Sequence, residues 1–382
     1  MLCEKIFEEI DALNEQYLNV LEDVCNLESP TADKARVDAV GAYFVRMARE
    51  RGLTVEYCRQ ERAGDAITIT LNPSAAEAPI VLSGHLDTVH EVGAFGSPAV
   101  HRDDARMYGP GVMDCKGGTV AALLAMDALS RVGFSARPVL LILQTDEETG
   151  SRTSNKDTIR YLCEKAKGAV AFLNLEGHVK NTAVTVRKGI LQYRVTVFGK
   201  ALHSARCFDG ASAIAEAASK ILRLEEWKDR NGLTCNCGVI RGGSVANSVA
   251  ERCEFIADFR YANEEQLHVA RDLMERVASE TRIPGCHTTY EEINFRPAMP
   301  SCQKNTDLLD RMNEIYQKNG LPILTSRTCL SGSDAAYITQ AGIPCVDCLG
   351  TEGSNIHSVD EYIELASLAQ SAKRIAAVVC EI

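Results

Sequence analysis

The chain has 382 residues, 46% hydrophobic and 24% charged, so it has the composition of a globular protein and more length than one core usually supports. Its formal net charge of -11 argues against nucleic acid or an anionic membrane as a main partner. Apolar runs stay shorter than the ~20 residues of a membrane span, and the acidic, amphipathic N-terminus differs from an export signal, so a cytoplasmic location is expected.

Apolar segments that end in polar residues alternate with helical patterns through the first half of the chain. We predict buried strands at 79–83, 139–144 and 169–173, and helices at 117–129 and 155–167. This alternation predicts an α/β domain with a mostly parallel, doubly wound sheet. Because such sheets bind ligands beyond the carboxyl ends of their strands, the polar residues after each strand are candidates for a functional site.

The pattern changes near residue 188, where strands begin to alternate apolar and polar residues as half-exposed antiparallel strands do. The predicted elements here are strands at 189–199, 254–261 and 286–293 and helices at 211–224 and 264–279. Strands and helices in this order predict a compact α+β domain of the ferredoxin-like kind. It ends near Pro297.

The α/β pattern returns after this segment, with a helix at 304–319 and a strand at 343–348. We therefore predict one catalytic domain, formed by residues 1–187 and 299–382, that is interrupted by a smaller inserted domain at 188–298.

Histidines and acidic residues follow the predicted strands of the catalytic domain. Imidazole nitrogens and carboxylate oxygens bind zinc-like divalent ions, and two such ions ~3.5–4 Å apart acidify a water between them. A site of this kind needs a carboxylate that bridges the ions and another that moves protons. The candidate residues are His85, Asp87, Asp114, Glu147, Glu148, Glu176 and His357.

Three of these positions can be interpreted from their local sequence. Asp114 lies in a glycine-rich loop that can approach ions closely; alone it would be read as a turn or helix cap, but its place among other ligand candidates favours a bridging role. Asp87 can accept the second N–H of His85. The adjacent Glu147 and Glu148 repel each other unless cations separate them, so one can bind metal while the other acts as a base.

Several blocks of the chain resemble the signature motifs of metallopeptidase family 20. This family includes glutamate carboxypeptidase, peptidase T, aminoacylase-1, acetylornithine deacetylase and succinyl-diaminopimelate desuccinylase. The blocks are GHLDTV at 84–89, GPGVMDCKGG at 109–118 and TDEETGS at 145–151, followed in the expected order by ALHS at 201–204, ADFRY at 257–261, GSD at 332–334 and NIHS at 355–358.

The resemblance implies a role for each candidate residue. His85 and Glu176 would bind one metal ion, Glu148 and His357 would bind the other, and Asp114 would bridge them. Glu147 would be the general base. Asp87 would orient His85.

For the inserted domain, the resemblance implies a dimer interface and a lid. His203 stands where a histidine of the family reaches the partner's active site and stabilises the oxyanion. Asn247 and Arg260 match positions that bind substrate. A homodimer through the inserted domain is therefore expected.

The expected activity is hydrolysis of a peptide or amide bond that releases an amino acid, as in a carboxypeptidase or dipeptidase. The water held between two ions would lose its proton to Glu147 and attack the carbonyl. Zinc is the expected metal, with cobalt or manganese as alternatives. Two other functions stay open: an N-acyl amino acid deacylase for N-acetyl or N-succinyl substrates, and a non-catalytic binding protein on the same fold.

Overall fold

The computed structural model describes residues 2–230 and 232–382. Its helices are α1 (Leu2–Asn26), α2 (Lys34–Glu50), α3 (Lys116–Arg131), α4 (Asp157–Lys165), α5 (Ala213–Leu224), α6 (Glu264–Ser279), α7 (Gln303–Lys318), α8 (Ala335–Gln340) and α9 (Ala366–Glu381). The first strands are β1 (Thr54–Cys58), β2 (Ala66–Leu71), β3 (Ile80–His85), β4 (His101–Arg102), β5 (Arg106–Tyr108), β6 (Val139–Gln144), β7 (Ala171–Asn174) and β8 (Thr182–Arg187). The later strands are β9 (Gly189–Phe198), β10 (Thr234–Gly242), β11 (Arg252–Tyr261), β12 (His287–Arg296), β13 (Thr325–Cys329), β14 (Cys345–Val346), β15 (Gly353–Ser354) and β16 (Tyr362–Glu364).

The chain forms two compact units. The first comprises the described chain up to Thr185 together with Ser301–Thr328 and Tyr337–Ile382, and the second comprises Val186–Pro300 and Cys329–Ala336. The sequence division assigned residues 329–336 to the catalytic domain, whereas they group with the second unit. A hydrogen bond from Arg187 Nη1 to Ser331 Oγ, 3.2 Å long, helps to hold them there.

The main sheet of the first unit has the strand order β1-β2-β6-β3-β7-β14. Strands β6, β3, β7 and β14 run parallel to one another, whereas β2 pairs with β6, and β1 with β2, in antiparallel fashion. The predicted α/β class is confirmed, and the sheet is parallel on one side and antiparallel at the β1 edge. Strand β3 is buried along its whole length, as its apolar sequence predicts for a central strand.

Helix α3 packs tightly on this sheet because its first turn contains two glycines. A Cβ atom on Gly118 would lie 2.0 Å from the carbonyl oxygen of Leu175, and a Cβ atom on Gly117 would lie 2.2 Å from that of Val112. Only glycine permits this approach. The contact with Leu175 brings the start of α3 next to the end of β7, and so brings Asp114 towards Glu176.

The second unit is built on an antiparallel sheet of order β10-β11-β9-β12 with helices α5 and α6. Each helix has an N-cap side chain: Ser212 accepts from the amide of Ala215, and Asn263 accepts from the amide of Gln266. Such caps satisfy amides that have no partner within the helix. Alternate residues of β11 are buried, and they pack with the helices into a separate core.

Within the part of the chain that the structure describes, no helix combines the length and the apolar character that crossing a membrane requires.

Candidate metal centre

Three neighbouring parallel strands deliver candidate ligands to one edge of the main sheet. His85 is the last residue of β3, Glu147 and Glu148 open a single 3₁₀ turn after β6, and Glu176 lies two residues beyond β7. Because β6, β3 and β7 are adjacent and parallel, their carboxyl ends meet at the same edge. The strand pattern of the sequence therefore predicted where these side chains converge.

Two further candidates reach the same place from loops. Asp114 immediately precedes Cys115, the N-cap residue of α3. His357 lies between β15 and β16 with a φ of 61°, a left-handed conformation that is uncommon for a residue other than glycine. Strained backbone of this kind is found disproportionately at functional sites.

The side chains of these residues are in contact. Asp114 Oδ1 lies 3.1 Å from His85 Nε2, and Asp114 Oδ2 lies 3.1 Å from His357 Nε2. His85 Nε2 is also 3.9 Å from Glu176 Oε1, and His357 Nε2 is 3.3 Å from Glu148 Oε2. Asp114 thus presents one oxygen to each imidazole, which is the arrangement that a bridging carboxylate requires.

The site is closed at one end and open at the other. The side chain of His85 is 2% exposed and that of His357 is 51% exposed. Asp114, Glu148 and Glu176 lie between these extremes, at 10%, 9% and 14%. The candidate site is therefore accessible to solvent on the side of His357.

Electrostatic coupling between the imidazoles and Asp114 is strong. Hydrogen bonds with Asp114 and then Glu148 raise the pKa of His357 to about 10. Burial acts to raise the pKa of Asp114, but the hydrogen bonds from His357 and His85 outweigh it and hold this pKa well below its ordinary value. The Asp114 carboxylate is therefore charged.

The charged forms of Glu148 and Glu176 are disfavoured in the metal-free site. Burial, with the charge of Asp114 adding to it, raises the pKa of Glu148 to about 7 and that of Glu176 well above its ordinary value. The charge of Glu147 adds to both shifts. Excess buried negative charge of this kind is what divalent cations neutralise.

Asp87 connects His85 to the pair Glu147 and Glu148. Its Oδ1 accepts from the amide of Glu147 and its Oδ2 from the amide of Glu148, both at 3.2 Å. His85 Nδ1 lies 2.9 Å from the Asp87 carbonyl oxygen and 3.4 Å from its carboxylate. Thr31 Oγ1 donates to Asp87 Oδ2 at 2.7 Å, a contact that sequence analysis missed because no motif marks Thr31.

Cys115 is a neighbour of two candidate ligands: its sulfur lies within 4.8 Å of a ring nitrogen of His85 and of a carboxylate oxygen of Glu176. Its Sγ accepts from the amide of His85 at 3.0 Å, and burial raises the pKa of the thiol to about 12. Metal binding requires the thiolate, so Cys115 serves as a neutral, buried neighbour of the site.

The remaining predicted site residues belong to the second unit. His203 and Asn247 are both exposed, and they are neighbours because the amide of Ser204 donates to the Asn247 carbonyl at 2.9 Å. Arg260 forms an ion pair with Asp258, with Nε to Oδ1 at 2.7 Å. Their contacts with substrate stay predictions.

Imidazoles and carboxylates that converge at the carboxyl edge of an α/β sheet define a metallohydrolase-type site, and comparison with known proteins agrees. Residues 81–381 match the model of Peptidase family M20/M25/M40. The chain belongs to this family, and it is a hydrolase of the metallopeptidase type.

Individual relatives carry different activities. The chain is 28% identical to carboxypeptidase G2 of Pseudomonas sp. over 92% of its own length and 85% of that protein. It is 27% identical to acetylornithine deacetylase of Myxococcus xanthus over 65% of each. The crystal structure of aminopeptidase PepT from Bacillus cereus has the same fold, with a TM-score of 0.78, 21% identity and coverage of 96% of this chain and 98% of that one.

Proposed function

We propose that the protein is a dinuclear metal-dependent hydrolase that releases an amino acid from a peptide, as a carboxypeptidase or dipeptidase does. The observation that carries this proposal is the position of Asp114, whose two oxygens each lie 3.1 Å from a different imidazole. A carboxylate that faces two separate donor sets is suited to bridge two ions.

The distances in each donor set fit a metal ion. In a tetrahedral site with metal–ligand bonds of about 2.0–2.2 Å, neighbouring donor atoms lie about 3.3–3.6 Å apart. The separations here, 3.1 to 3.9 Å, bracket that range. We assign His85 and Glu176 to one ion, Glu148 and His357 to the other, and Asp114 to both.

Bound divalent ions would supply Lewis acidity, polarising the scissile carbonyl and lowering the pKa of the attacking water. Glu147 then takes the proton of that water and passes it to the departing amine nitrogen. Its backbone amide is fixed by Asp87, which holds the 3₁₀ turn beside His85. His203 stabilises the oxyanion, while Asn247 and Arg260 bind the substrate; Arg260 must share its guanidinium between Asp258 and a substrate carboxylate.

Peptide and N-acyl amino acid substrates share the bond that is cleaved, so the site itself does not separate them. The similarity to carboxypeptidase G2 over most of both chains supports a peptidase or carboxypeptidase activity. The similarity to acetylornithine deacetylase supports an N-acyl amino acid deacylase as the second candidate. A non-catalytic binding role is disfavoured because every residue of the proposed ligand set and the proposed base is present.

Three further features belong to the proposal. Zinc is the proposed metal, since it favours mixed nitrogen and oxygen ligands, although cobalt and manganese bind the same donors. The second unit is proposed to act as a lid and to form a homodimer. The protein is proposed to act in the cytoplasm. Metal analysis, sedimentation velocity and cell fractionation test these features in turn.

The test of function uses chelator-stripped protein reloaded with zinc, cobalt or manganese. We expect two ions per chain and hydrolysis of a panel of dipeptides and N-acyl amino acids, with the ratio of kcat/KM between the two classes deciding the substrate. Fewer than one ion per chain after reloading contradicts the proposal and supports the alternative of a non-catalytic binding protein.

A further inference from the structure

Glu361 is a buried carboxylate that neither the sequence motifs nor the ligand set accounts for. It is 1% exposed and follows His357 by four residues on the same loop. Its side chain points at the glycine-rich loop that carries Asp114. A carboxylate buried this deeply is costly unless hydrogen bonds satisfy both of its oxygens.

Backbone amides of the Asp114 loop supply these hydrogen bonds. Glu361 Oε1 accepts from the amides of Met113, at 2.9 Å, and Asp114, at 3.0 Å. Its Oε2 accepts from the amide of Gly111 at 3.3 Å and lies 3.2 Å from His90 Nε2. The Glu361 carbonyl oxygen also accepts from the amide of Gly109 at 3.2 Å, so side chain and backbone hold the same loop.

We propose that Glu361 is the positioning residue for the bridging ligand, fixing the Asp114 loop onto the loop that carries His357. Asp114 and His357 are far apart in the sequence. To bind the same ion, their side chains must be positioned relative to each other with a precision of a few tenths of an ångström. Glu361 connects the two backbones, because it lies on the same loop as His357 and its carboxylate accepts from the backbone amide of Asp114. This inference rests on the proposed function, because it assigns Glu361 a role in building the dimetal site.

Three backbone amides donate to the two oxygens of Glu361, so the position suits a side chain with two acceptor oxygens. A glutamine at this position keeps one oxygen for the amides of Met113 and Asp114, but its NH₂ group then faces the amide N–H of Gly111. Two donors cannot bond to each other, so the Gly111 end of the loop is released. Aspartate keeps the charge but withdraws the carboxylate by one methylene.

The test compares Glu361→Gln with Glu216→Gln in the full-length protein. Glu216 is a matched control because it is also 1% exposed and accepts from backbone amides, those of Arg282 and Ile283, within the second unit. For each metal-free protein we measure the thermal midpoint, hydrogen exchange of the peptide spanning 109–116, the Kd for Co²⁺ and the visible spectrum of the Co²⁺-loaded form.

We expect Glu361→Gln to raise the Kd of at least one ion about 10- to 100-fold, as other outer contacts of metal ligands do. It should also alter the Co²⁺ spectrum and speed exchange in 109–116. Glu216→Gln should lower the thermal midpoint while leaving the Kd, spectrum and exchange of 109–116 at wild-type values. Wild-type Kd, spectrum and exchange in Glu361→Gln overturn the inference.

Two further outcomes are distinguishable. If the wild-type protein itself binds no Co²⁺, the proposed function fails, and with it the role of Glu361 in a metal site. If Glu361→Gln does not fold, Glu361→Asp decides the question. For Glu361→Asp we expect a Co²⁺ Kd and a rate of hydrogen exchange in 109–116 above those of the wild-type protein. Wild-type values in both measurements overturn the inference.

Discussion

Buried carboxylates in two regions of the protein have their charge balanced in different ways. In the second unit, Glu216 is 1% exposed and its Oε1 lies 3.1 Å from Nζ of the fully buried Lys220. At the sheet edge of the first unit, Asp114, Glu148 and Glu176 converge on two imidazoles, and imidazoles are neutral when they bind metal.

The difference separates a structural charge from a functional one. Lys220 Nζ also donates to the carbonyls of Val277 and Glu280 at the end of α6. The charge of Glu216 is therefore balanced by a side chain of the protein itself, and the same lysine satisfies carbonyls that have no partner within the helix. The acids at the sheet edge have two imidazoles beside them and no Lys or Arg among the ion-pair partners described above, so in the proposed function cations from solution balance their charge. Buried charge that the fold leaves unbalanced is therefore a guide to function, and the following predictions test it.

The largest effect is expected from Glu147→Gln. Loss of the proton carrier should lower kcat by about 10²- to 10⁴-fold, the usual contribution of a general base, while both ions stay bound. Steady-state kinetics and metal analysis measure the two quantities. Glu164→Gln, an exposed glutamate paired with Lys167, is the matched control and should keep wild-type kcat. A Glu147→Gln enzyme with most of the wild-type rate shows that another group moves the proton.

Lys220→Met breaks the balanced pair of the second unit. Removing one partner of a buried ion pair leaves an uncompensated charge, so we expect the free energy of unfolding to fall by about 3–5 kcal/mol. Urea denaturation measures this change. Lys228→Met, which removes an exposed pair with Glu225, should cost less than about 1 kcal/mol. Equal stability of Lys220→Met and the wild-type protein means that the buried pair is not stabilising relative to an apolar residue.

Metal affinity should weaken as the pH falls. In the metal-free protein His357 has a pKa of about 10 and Glu148 a pKa of about 7, so both retain protons near neutrality that metal ions must displace. Each displaced proton makes the apparent Kd rise about tenfold per unit of pH decrease below the relevant pKa. Calorimetric titration between pH 8 and pH 6, in buffers of different ionisation enthalpy, measures the protons released. A Kd that is constant over this range would be inconsistent with the proposed ligands.

A smaller effect is expected for a balanced carboxylate within the first unit. Asp127 accepts from Tyr17 Oη, Arg51 Nε and Arg131 Nε at 2.7, 2.6 and 2.9 Å. Burial acts to raise the pKa of Asp127, but the hydrogen bonds from Arg131, Tyr17 and Arg51 outweigh it and lower the pKa. Asp127→Asn should therefore lose about 2 kcal/mol of stability at neutral pH, within the range for hydrogen bonds to charged groups.

The pH dependence of this loss has a defined sign. A lowered folded-state pKa means that the charged Asp127 stabilises the fold above its unfolded pKa of about 3.9, and that this stabilisation disappears as the pH falls through the still lower folded pKa. The stability difference between wild type and Asp127→Asn should thus be constant from pH 7 to about 5 and shrink on further acidification. Urea denaturation at each pH provides the measurement. A stability difference that grows towards acid pH would mean that folding raises the pKa of Asp127 instead of lowering it.

Sequence patterns predicted the central part of the fold and the convergence of the candidate ligands. The strand at 139–144 and the helix at 264–279 were predicted with the bounds that the structure has. A continuous apolar run marks the strand, and in the structure Asn263 caps the helix. The antiparallel edge was not anticipated, since the pairing of β2 with β6 joins segments about 70 residues apart. Nor was Glu361, because an acidic residue after His-Ser-Val-Asp has the local sequence of a solvated turn, and its burial depends on amides some 250 positions earlier in the chain.

The unequal exposure of His85 and His357 has a kinetic consequence. A chelating molecule from solution can reach donor atoms at the His357 end, whereas the His85 end is sealed by the surrounding sheet and helix. We expect the two ions to leave at different rates, with the outer one exchanging first. Preparations made in the presence of chelating buffers would then contain half-loaded protein, and activity recovered by adding one equivalent of metal would report on the outer position alone.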